Sequence, residues 1–227
     1  MKRSEINARL TRARDFIAQC GFRLPPFAFF SPAEWKQRAA EYAPARAALL
    51  GWDMTDFGRG NFDKVGLIAF TVRNGSLADE KLTRPYAEKI MVVEELQETP
   101  MHFHWLKSED IINRGGGELV IQLYNADEND QLDTTPVTVF SDGRSYTIPA
   151  GGSVTLLPGE SITLLPRQYH RFYGRPGKGT VLVGEVSRVN DDATDNRFFQ
   201  PAGRFPEVEE DEESRFVLCC EYDKVCK

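Results

Sequence analysis

The sequence predicts an all-β protein, a barrel or jelly roll with N-terminal helices packed outside it. Two observations support this fold class. From about residue 65 onwards, short runs of apolar and β-branched residues recur at the spacing typical of a sandwich or barrel, with turn residues between them. No helical interval separates these runs, so crossover connections of the βαβ type are not expected.

The first fifty residues have helical periodicity. Apolar side chains recur at three- and four-residue spacing over residues 4–20, and Gly21 follows as a stop signal. The stretch SPAEW, residues 31–35, combines a serine N-cap, a proline at the first helical position and a glutamate two residues later, which is the capping-box pattern. We expect this second helix to be interrupted at Pro44 and to resume as far as Leu50.

The remaining elements are predicted to be strands. The Gly- and Asp-rich stretch GWDMTDFGRGNFDK, residues 51–64, is interpreted as a loop that leads into them. The predicted strands are VGLIAFTVRN, YAEKIMVVEELQ, ELVIQLYNA, PVTVFSDG, RSYTIPAG, SVTLLPG, SITLLPRQ, GTVLVGEVSRV and RFVLCCEY. The chain is therefore divided into a helical extension, residues 1–64, and a barrel domain, residues 65–227, which form one structural unit.

Composition and charge limit the class of partner. The chain has 227 residues and a formal net charge of −6, so nucleic acid is not expected as a partner. No apolar run approaches the about 18 residues of a membrane span, and the charged N-terminus lacks the apolar core of a signal peptide. The acidic run at residues 207–213 is interpreted as a solvated loop or edge. We expect a cytoplasmic protein with reduced thiols at its cysteines, Cys20, Cys219, Cys220 and Cys226.

The chain holds three histidines, and two of them lie one residue apart in TPMHFHWLKSED. On a strand, His102 and His104 would share one face and could chelate one ion. Glu109 would join them only if the intervening LKSED turns, and His170 would have to come from a neighbouring strand. Such a set suits a divalent ion with open positions. Taken alone, the pair is equally consistent with surface histidines.

A second stretch, PGESITLLPRQYHRF, favours the metal site, because together the two stretches resemble the motifs of the cupin superfamily. HFHWLKSE matches the first motif, in which a glutamate follows the histidine pair. Gly159 to His170 has the spacing of the second, although Pro166 is one place late and Gln168 stands near a usual glycine. The resemblance implies a cupin-type jelly-roll barrel in which one metal ion is bound by His102, His104, Glu109 and His170.

Four further residues are candidates for chemistry near that site. Glu185 interrupts an apolar strand, where a carboxylate needs a partner or a wet cavity. Lys107 could equally be a solvated turn residue, and Lys89 could point outwards on an edge strand. Arg197 follows a group of turn-forming residues, Asn190, Asp191, Asp192 and Asp195.

The whole chain resembles the D-lyxose isomerase family, through LPPFAFFSPAEW, GWDMTDFGRG, PMHFHWLKSEDIINRGGGELVIQL and GEVSRVNDDATDNRF. The resemblance implies a cytoplasmic, homodimeric aldose–ketose isomerase that converts D-lyxose to D-xylulose, with D-mannose to D-fructose as a side activity. It also implies Mn²⁺ as cofactor, with Zn²⁺, Fe²⁺ or Co²⁺ as alternatives.

The reaction itself indicates which groups are needed. A proton must leave C2 and return to C1 through a cis-enediol, with the charge on O1 and O2 stabilised by a divalent ion. Glu185 is the candidate proton shuttle and Lys107 would hold or protonate an oxygen. Lys89 would bind the far hydroxyls and Arg197 the sugar tail. The competing hypotheses are a metal-dependent dioxygenase, a non-catalytic sugar-binding cupin, and an isomerase of phosphorylated sugars.

Overall fold

The computed structural model describes residues 1–76, 82, 84–191, 194–203 and 207–227. Its helices are α1 (Arg3–Gln19), α2 (Pro32–Gln37), α3 (Ala43–Ala47) and α4 (Tyr222–Val225), with 3₁₀ turns at Pro26–Phe29 and Cys219–Glu221. Its strands are β1 (Gly51–Thr55), β2 (Leu67–Arg73), β3 (Tyr86–Val93), β4 (Thr99–Phe103), β5 (Glu109–Gly116), β6 (Leu119–Asn125), β7 (Val137–Ser141), β8 (Arg144–Ile148), β9 (Ser153–Leu156), β10 (Ser161–Leu164), β11 (Gln168–Gly174), β12 (Val181–Arg188) and β13 (Arg197–Phe198).

These strands form two antiparallel sheets. The larger sheet has the order β1-β2-β3-β12-β5-β10-β7-β8, and the smaller has β13-β4-β11-β6-β9. Alternate side chains of both sheets meet in an apolar core that includes Met91, Ile111, Leu123, Phe172 and Val183. The predicted all-β jelly-roll fold is confirmed.

Helix α1 covers the outer face of the larger sheet. Its apolar stripe, which includes Ile6 and Leu10, packs on the sheet residues that alternate with the inner ones, among them Phe70, Ile90 and Leu182. The larger sheet is thus apolar on both faces, which explains the continuous apolar character of its central strands. The predicted position of the helices outside the barrel is what the structure shows.

Two local predictions were wrong. Residues 51–55 form strand β1 rather than loop, because Trp52 is buried under the N-terminal segment and its indole N–H donates to the carbonyl of Ala28. RFVLCCEY is not a strand: after Leu218 the chain enters the 3₁₀ turn Cys219–Glu221, where the Glu221 carboxylate accepts the Leu218 N–H. The boundary at residue 65 stays a prediction, and β1, which precedes it, pairs with β2 of the larger sheet.

The helices also differ from their predicted bounds. Helix α2 ends at Gln37, well before Pro44, and the Ser31 capping box is present as predicted. The resumed segment is the short helix α3, Ala43–Ala47, with Pro44 in its first turn. Among the described residues, no helix is both long and apolar enough to span a membrane.

The acidic run is bound to the start of α1. The Glu209 carbonyl accepts the Arg3 N–H, and the Asp211 carboxylate accepts both the backbone N–H and the hydroxyl of Ser4. The buried Arg3 guanidinium pairs with Glu210 and Glu221. Carboxylates suit this position, because the first N–H groups of a helix carry partial positive charge. The run is therefore an exposed loop, as predicted, and it also forms a strap across the helix terminus.

Candidate metal centre and active site

The three histidines meet between the two sheets. His102 on β4 is the register partner of His170 on β11, and His104 follows directly after β4. All three side chains are buried, and their ligand atoms lie within 4.8 Å of one another. The period of two along β4 brings His102 and His104 to one face, as the sequence indicated. This group can hold a divalent metal ion.

The hydrogen bonds of the rings determine which nitrogens face the centre. In each histidine Nδ1 lies against a backbone carbonyl: that of Pro100 for His102 at 2.7 Å, that of Asp195 for His104 at 2.9 Å and that of Gln168 for His170 at 3.1 Å. A carbonyl only accepts, so each Nδ1 carries the proton. Each Nε2 therefore presents its lone pair to the centre, which is the usual arrangement of metal-binding histidines.

Glu109 reaches the centre from the opposite sheet. It is the first residue of β5, and its Oε1 lies 3.1 Å from His170 Nε2 and 3.4 Å from His104 Nε2. Burial by itself would raise the pKa of Glu109, but the Lys107 ammonium outweighs it and holds that pKa well below its ordinary value. A carboxylate oxygen and imidazole lone pairs repel one another at this distance unless a cation lies between them. The donor set therefore fits a bound metal ion.

Burial keeps the imidazole of His102 neutral. Desolvation is the main cause that lowers its pKa well below the ordinary value, and the neighbouring His170 and His104 add to the effect. A neutral imidazole is the form that binds a metal.

A buried charge network lies beside the histidines. Lys107 Nζ is 2.8 Å from Glu109 Oε2 and 2.9 Å from Glu185 Oε1, and Lys89 Nζ is 3.5 Å from the same Glu185 oxygen. Burial opposes ionisation of Glu185, yet Lys107 and Lys89 lower its pKa below the ordinary value. Glu185 is thus a buried carboxylate anion. The structure brings together Lys89, Lys107 and Glu185 as the sequence predicted, and neither lysine is solvated.

Two polar residues of the network were predicted only as turn formers. The Asn190 side-chain carbonyl accepts from Lys89 Nζ at 2.5 Å and from Lys107 Nζ at 3.2 Å. The Asp195 carboxylate accepts the backbone N–H groups of Leu106 and Lys107. The only sequence signal was the density of Asn and Asp after β12, which is shared by ordinary turns. Of that group, Asp192 lies outside the described residues.

A cavity of about 290 Å³ adjoins the histidines and the network. This volume is close to the lower limit of ordinary ligand pockets, about 300 Å³, and suits a small molecule. Its wall is mixed and holds apolar side chains together with charged and polar ones. The lining residues are Asp53, Thr55, Phe57, Leu67, Ala69, Thr71, Lys89, Met91, Thr99, His102, His104, Lys107, Glu109, Ile111, His170, Phe172, Glu185, Asn196, Phe198, Ala202 and Gly203.

The structure does not bring Arg197 into this cavity. Its neighbours Asn196 and Phe198 line the wall, whereas the Arg197 guanidinium donates to the backbone carbonyl of Phe198. Strand alternation explains the difference, because neighbouring residues of β13 point to opposite sides. Phe198 points inwards, and its ring stacks on that of His102 with 5.3 Å between the ring centroids. The predicted contact of Arg197 with the sugar gains no support from this position.

A family model described as D-lyxose isomerase matches residues 1–222. The chain belongs to the D-lyxose isomerase family. The family membership predicted from the sequence is thereby confirmed.

Relatives of the D-lyxose isomerase family match the chain almost end to end. Two proteins named D-lyxose/D-mannose isomerase, from Escherichia coli O157:H7 and Serratia proteamaculans, are each 52% identical to it over 223 residues, which covers 98% of this chain and 98% of each relative.

More distant solved structures share the fold. They include L-ribose isomerase from Acinetobacter sp. DL28 in complex with L-ribose (TM-score 0.62, 14% identity, 92% of this chain and 98% of the other). L-ribose isomerase from Cellulomonas parahominis with L-ribose is another (TM-score 0.58, 16% identity, 92% and 98%).

Proposed function

We propose that the protein is a metal-dependent aldose–ketose isomerase that interconverts D-lyxose and D-xylulose, and D-mannose and D-fructose. One observation carries the proposal: three imidazole Nε2 atoms and the Glu109 carboxylate converge at a small cavity that also holds the Glu185 anion. The substrates are those in the names of the two relatives at 52% identity.

The proposed metal ligands are His102, His104, Glu109 and His170, and the proposed ion is Mn²⁺. Three imidazoles and a carboxylate suit Mn²⁺, Fe²⁺, Co²⁺ and Zn²⁺ alike, so Mn²⁺ is proposed on the family resemblance. A divalent ion there would act as a Lewis acid towards the O1 and O2 atoms of an open-chain sugar.

Glu185 is proposed to move the proton between C2 and C1. Its carboxylate is held ionised by Lys107 and Lys89, so it can accept a proton at neutral pH. Because D-lyxose and D-mannose have the same configuration at C2, one base placed on one face of the sugar serves both. The base then returns the proton to C1 of the cis-enediol and the hydroxyl proton of O2 passes to O1, so the isomerisation involves no net gain or loss of a proton.

The two lysines are proposed to bind sugar oxygens. Lys107, which contacts both Glu109 and Glu185, lies where it can hold or protonate the oxygen that changes between carbonyl and hydroxyl. Lys89 contacts the Glu185 carboxylate, and is proposed to bind a hydroxyl further along the carbon chain of the sugar. Phe198, stacked on His102, forms an apolar cover that restricts water at the reacting carbons.

The charges of the cavity favour a neutral sugar over a phosphorylated one. Among the described lining residues there is no arginine, and both lysines lie against buried carboxylates. A phosphate dianion would have to compete with Glu109 and Glu185 for the same cations.

The alternative hypotheses account for fewer of these contacts. A dioxygenase needs neither a lysine-held carboxylate anion nor a second lysine beside it, and a non-catalytic sugar binder needs no proton shuttle. Cytoplasmic location and a homodimer are both proposed on the family resemblance. Light scattering after gel filtration tests the dimer.

The experiment that tests the function uses metal-stripped protein. Chelator is removed, Mn²⁺ is restored, and D-lyxose is followed for appearance of D-xylulose. We expect conversion with the ion and none without it, and H170A should lose both stoichiometric Mn²⁺ and activity. If H170A retains its metal and turnover, the ligand assignment is wrong. If the wild-type protein binds Mn²⁺ and converts neither D-lyxose nor D-mannose, the isomerase proposal fails.

A further inference from the structure

One hydroxyl in the cavity wall has no partner. Thr99 lines the cavity and is 3% exposed, and its Oγ1 is buried without a hydrogen-bond partner among the described residues. A buried hydroxyl left unpaired has lost its hydrogen bonds to water without replacement, which is unfavourable. Its register partner on β11 is the apolar Phe172, and Met91 and Ile111 also line the cavity.

A β-bulge turns Thr99 towards the cavity. On β11, His170 and Phe172 are two residues apart, whereas their register partners on β4, His102 and Thr99, are three apart. Strand β4 therefore carries one extra residue in the segment Pro100–Met101. In a regular strand an odd offset would place Thr99 and His102 on opposite faces, and the bulge returns them to one face. Proline, which cannot donate to the ladder, is tolerated at such a bulge.

The separation of the two side chains matches the length of a sugar. Because their partners on β11 are two residues apart, Thr99 and His102 are separated by two ladder positions, or about 7 Å along the strand. An extended open-chain pentose spans roughly 5 Å from C1 to C5, with C–C bonds of about 1.5 Å. A sugar whose O1 and O2 lie beside His102 would thus bring its tail hydroxyls to the level of Thr99.

We propose that Thr99 is a specificity-determining residue whose hydroxyl binds a tail hydroxyl of the sugar, at C4 or C5. This inference rests on the proposed function for the direction in which the sugar lies. A fixed polar group in the cavity wall orients a ligand, because only a ligand that carries a matching hydroxyl satisfies it. Among the described residues the hydroxyl has no partner, so a sugar hydroxyl bound there would supply the hydrogen bond that it lacks.

The test compares T99V, which removes the hydroxyl at nearly constant shape, with T99S, which keeps it. Binding of D-arabinitol, the polyol of D-lyxose that cannot be isomerised, is measured by calorimetry on Mn²⁺-loaded protein. We expect T99V to weaken binding at least tenfold and to raise the KM for D-lyxose by a similar factor, while T99S stays within about threefold of wild type. The melting temperature of the sugar-free T99V protein should equal or exceed that of wild type.

The matched control is Thr163, a strand threonine outside the cavity whose hydroxyl donates to Asp110 at 2.6 Å. T163V should lower the melting temperature and leave polyol binding unchanged. If T99V lowers the melting temperature as T163V does and binds D-arabinitol like wild type, the hydroxyl is structural and the proposal is overturned. If wild-type protein binds the polyol but converts no D-lyxose, the proposed function fails while the T99V comparison still tests this inference.

Discussion

Lys107 and Glu185 form a buried ion pair across the barrel, with Nζ 2.9 Å from Oε1, although they are 78 positions apart in the chain. Lys107 comes from the turn between β4 and β5, and Glu185 from β12 of the larger sheet. The same ammonium contacts Glu109 at 2.8 Å. One cation therefore stabilises the charge of both a candidate base and a candidate metal ligand.

The role of Glu185 as proton shuttle predicts the effect of E185Q. Because glutamine keeps the shape but cannot accept the proton, we expect turnover of D-lyxose to fall by about 10²–10⁴-fold. Mn²⁺ content should stay at the wild-type level, because Glu185 is not among the proposed ligands. E118Q, at a surface glutamate paired with Arg175, is the control and should be fully active. Near-normal turnover of E185Q would refute its role as base.

Loss of the Lys107 charge should shift the pH dependence of the reaction. Lys107 is a principal cause that lowers the pKa of Glu185, so in K107M that pKa rises and the acid is protonated at higher pH. The acid limb of the kcat profile should therefore move to higher pH, if activity remains measurable. The variant should also be destabilised by about 3–5 kcal/mol, because Glu109 loses its lysine partner and Glu185 keeps only the more distant Lys89. An unshifted acid limb would show that Glu185 does not control it.

Asp195 is expected to hold the turn that carries Lys107. Its carboxylate accepts the N–H groups of Leu106 and Lys107 at 2.8 and 3.0 Å. D195A leaves both donors unpaired, so we expect a loss of stability of about 1–3 kcal/mol and a drop in kcat. D195N keeps an acceptor and should recover part of both. Mn²⁺ affinity should change little, because His104 contacts the backbone carbonyl of Asp195 and not its side chain. Equal damage from D195A and D195N would contradict a capping role.

The metal-free protein should lose stability as the pH falls below about 6.5. The folded state keeps His102 neutral, since burial and its histidine neighbours lower its pKa, whereas the unfolded imidazole binds a proton near pH 6.5. The unfolded state then binds more protons, so the free energy of unfolding decreases as the pH falls. Melting temperatures of chelator-treated protein at pH 7.5, 6.5 and 5.5 measure this. In H102Q the melting temperature should depend less on pH. An equally steep decline in H102Q would show that groups other than His102 cause the loss of stability.

The strap over α1 predicts a strong effect of R3M. Arg3 is 2% exposed and is paired with Glu221, which is also buried. Removing one partner of a buried pair leaves the other charge uncompensated, so we expect a loss of about 3–5 kcal/mol. R9M is the matched control, since Arg9 pairs with the exposed Asp63 and should cost less than about 1 kcal/mol. Similar unfolding midpoints in urea for R3M and R9M would contradict the buried-pair interpretation.

The sequence by itself determined the fold class and indicated the three histidines that the structure brings together. Strand periodicity is a local property, so the barrel and the shared face of His102 and His104 follow from alternation alone. The need of Glu185 for a partner also follows from its neighbours in the chain, because a carboxylate inside an apolar strand must be paired or hydrated. All three features depend only on residues that are close together in the chain.

Only the tertiary structure decided which distant groups meet. The bulge at Pro100–Met101 turns Thr99 inwards against simple alternation, and the short strand β13 places Phe198 rather than Arg197 in the wall. The contact of Asp195 with the Lys107 turn joins residues 88 positions apart. Such contacts depend on register and on loop paths between sheets. Many registers satisfy the same local pattern, and packing of the whole barrel selects one of them.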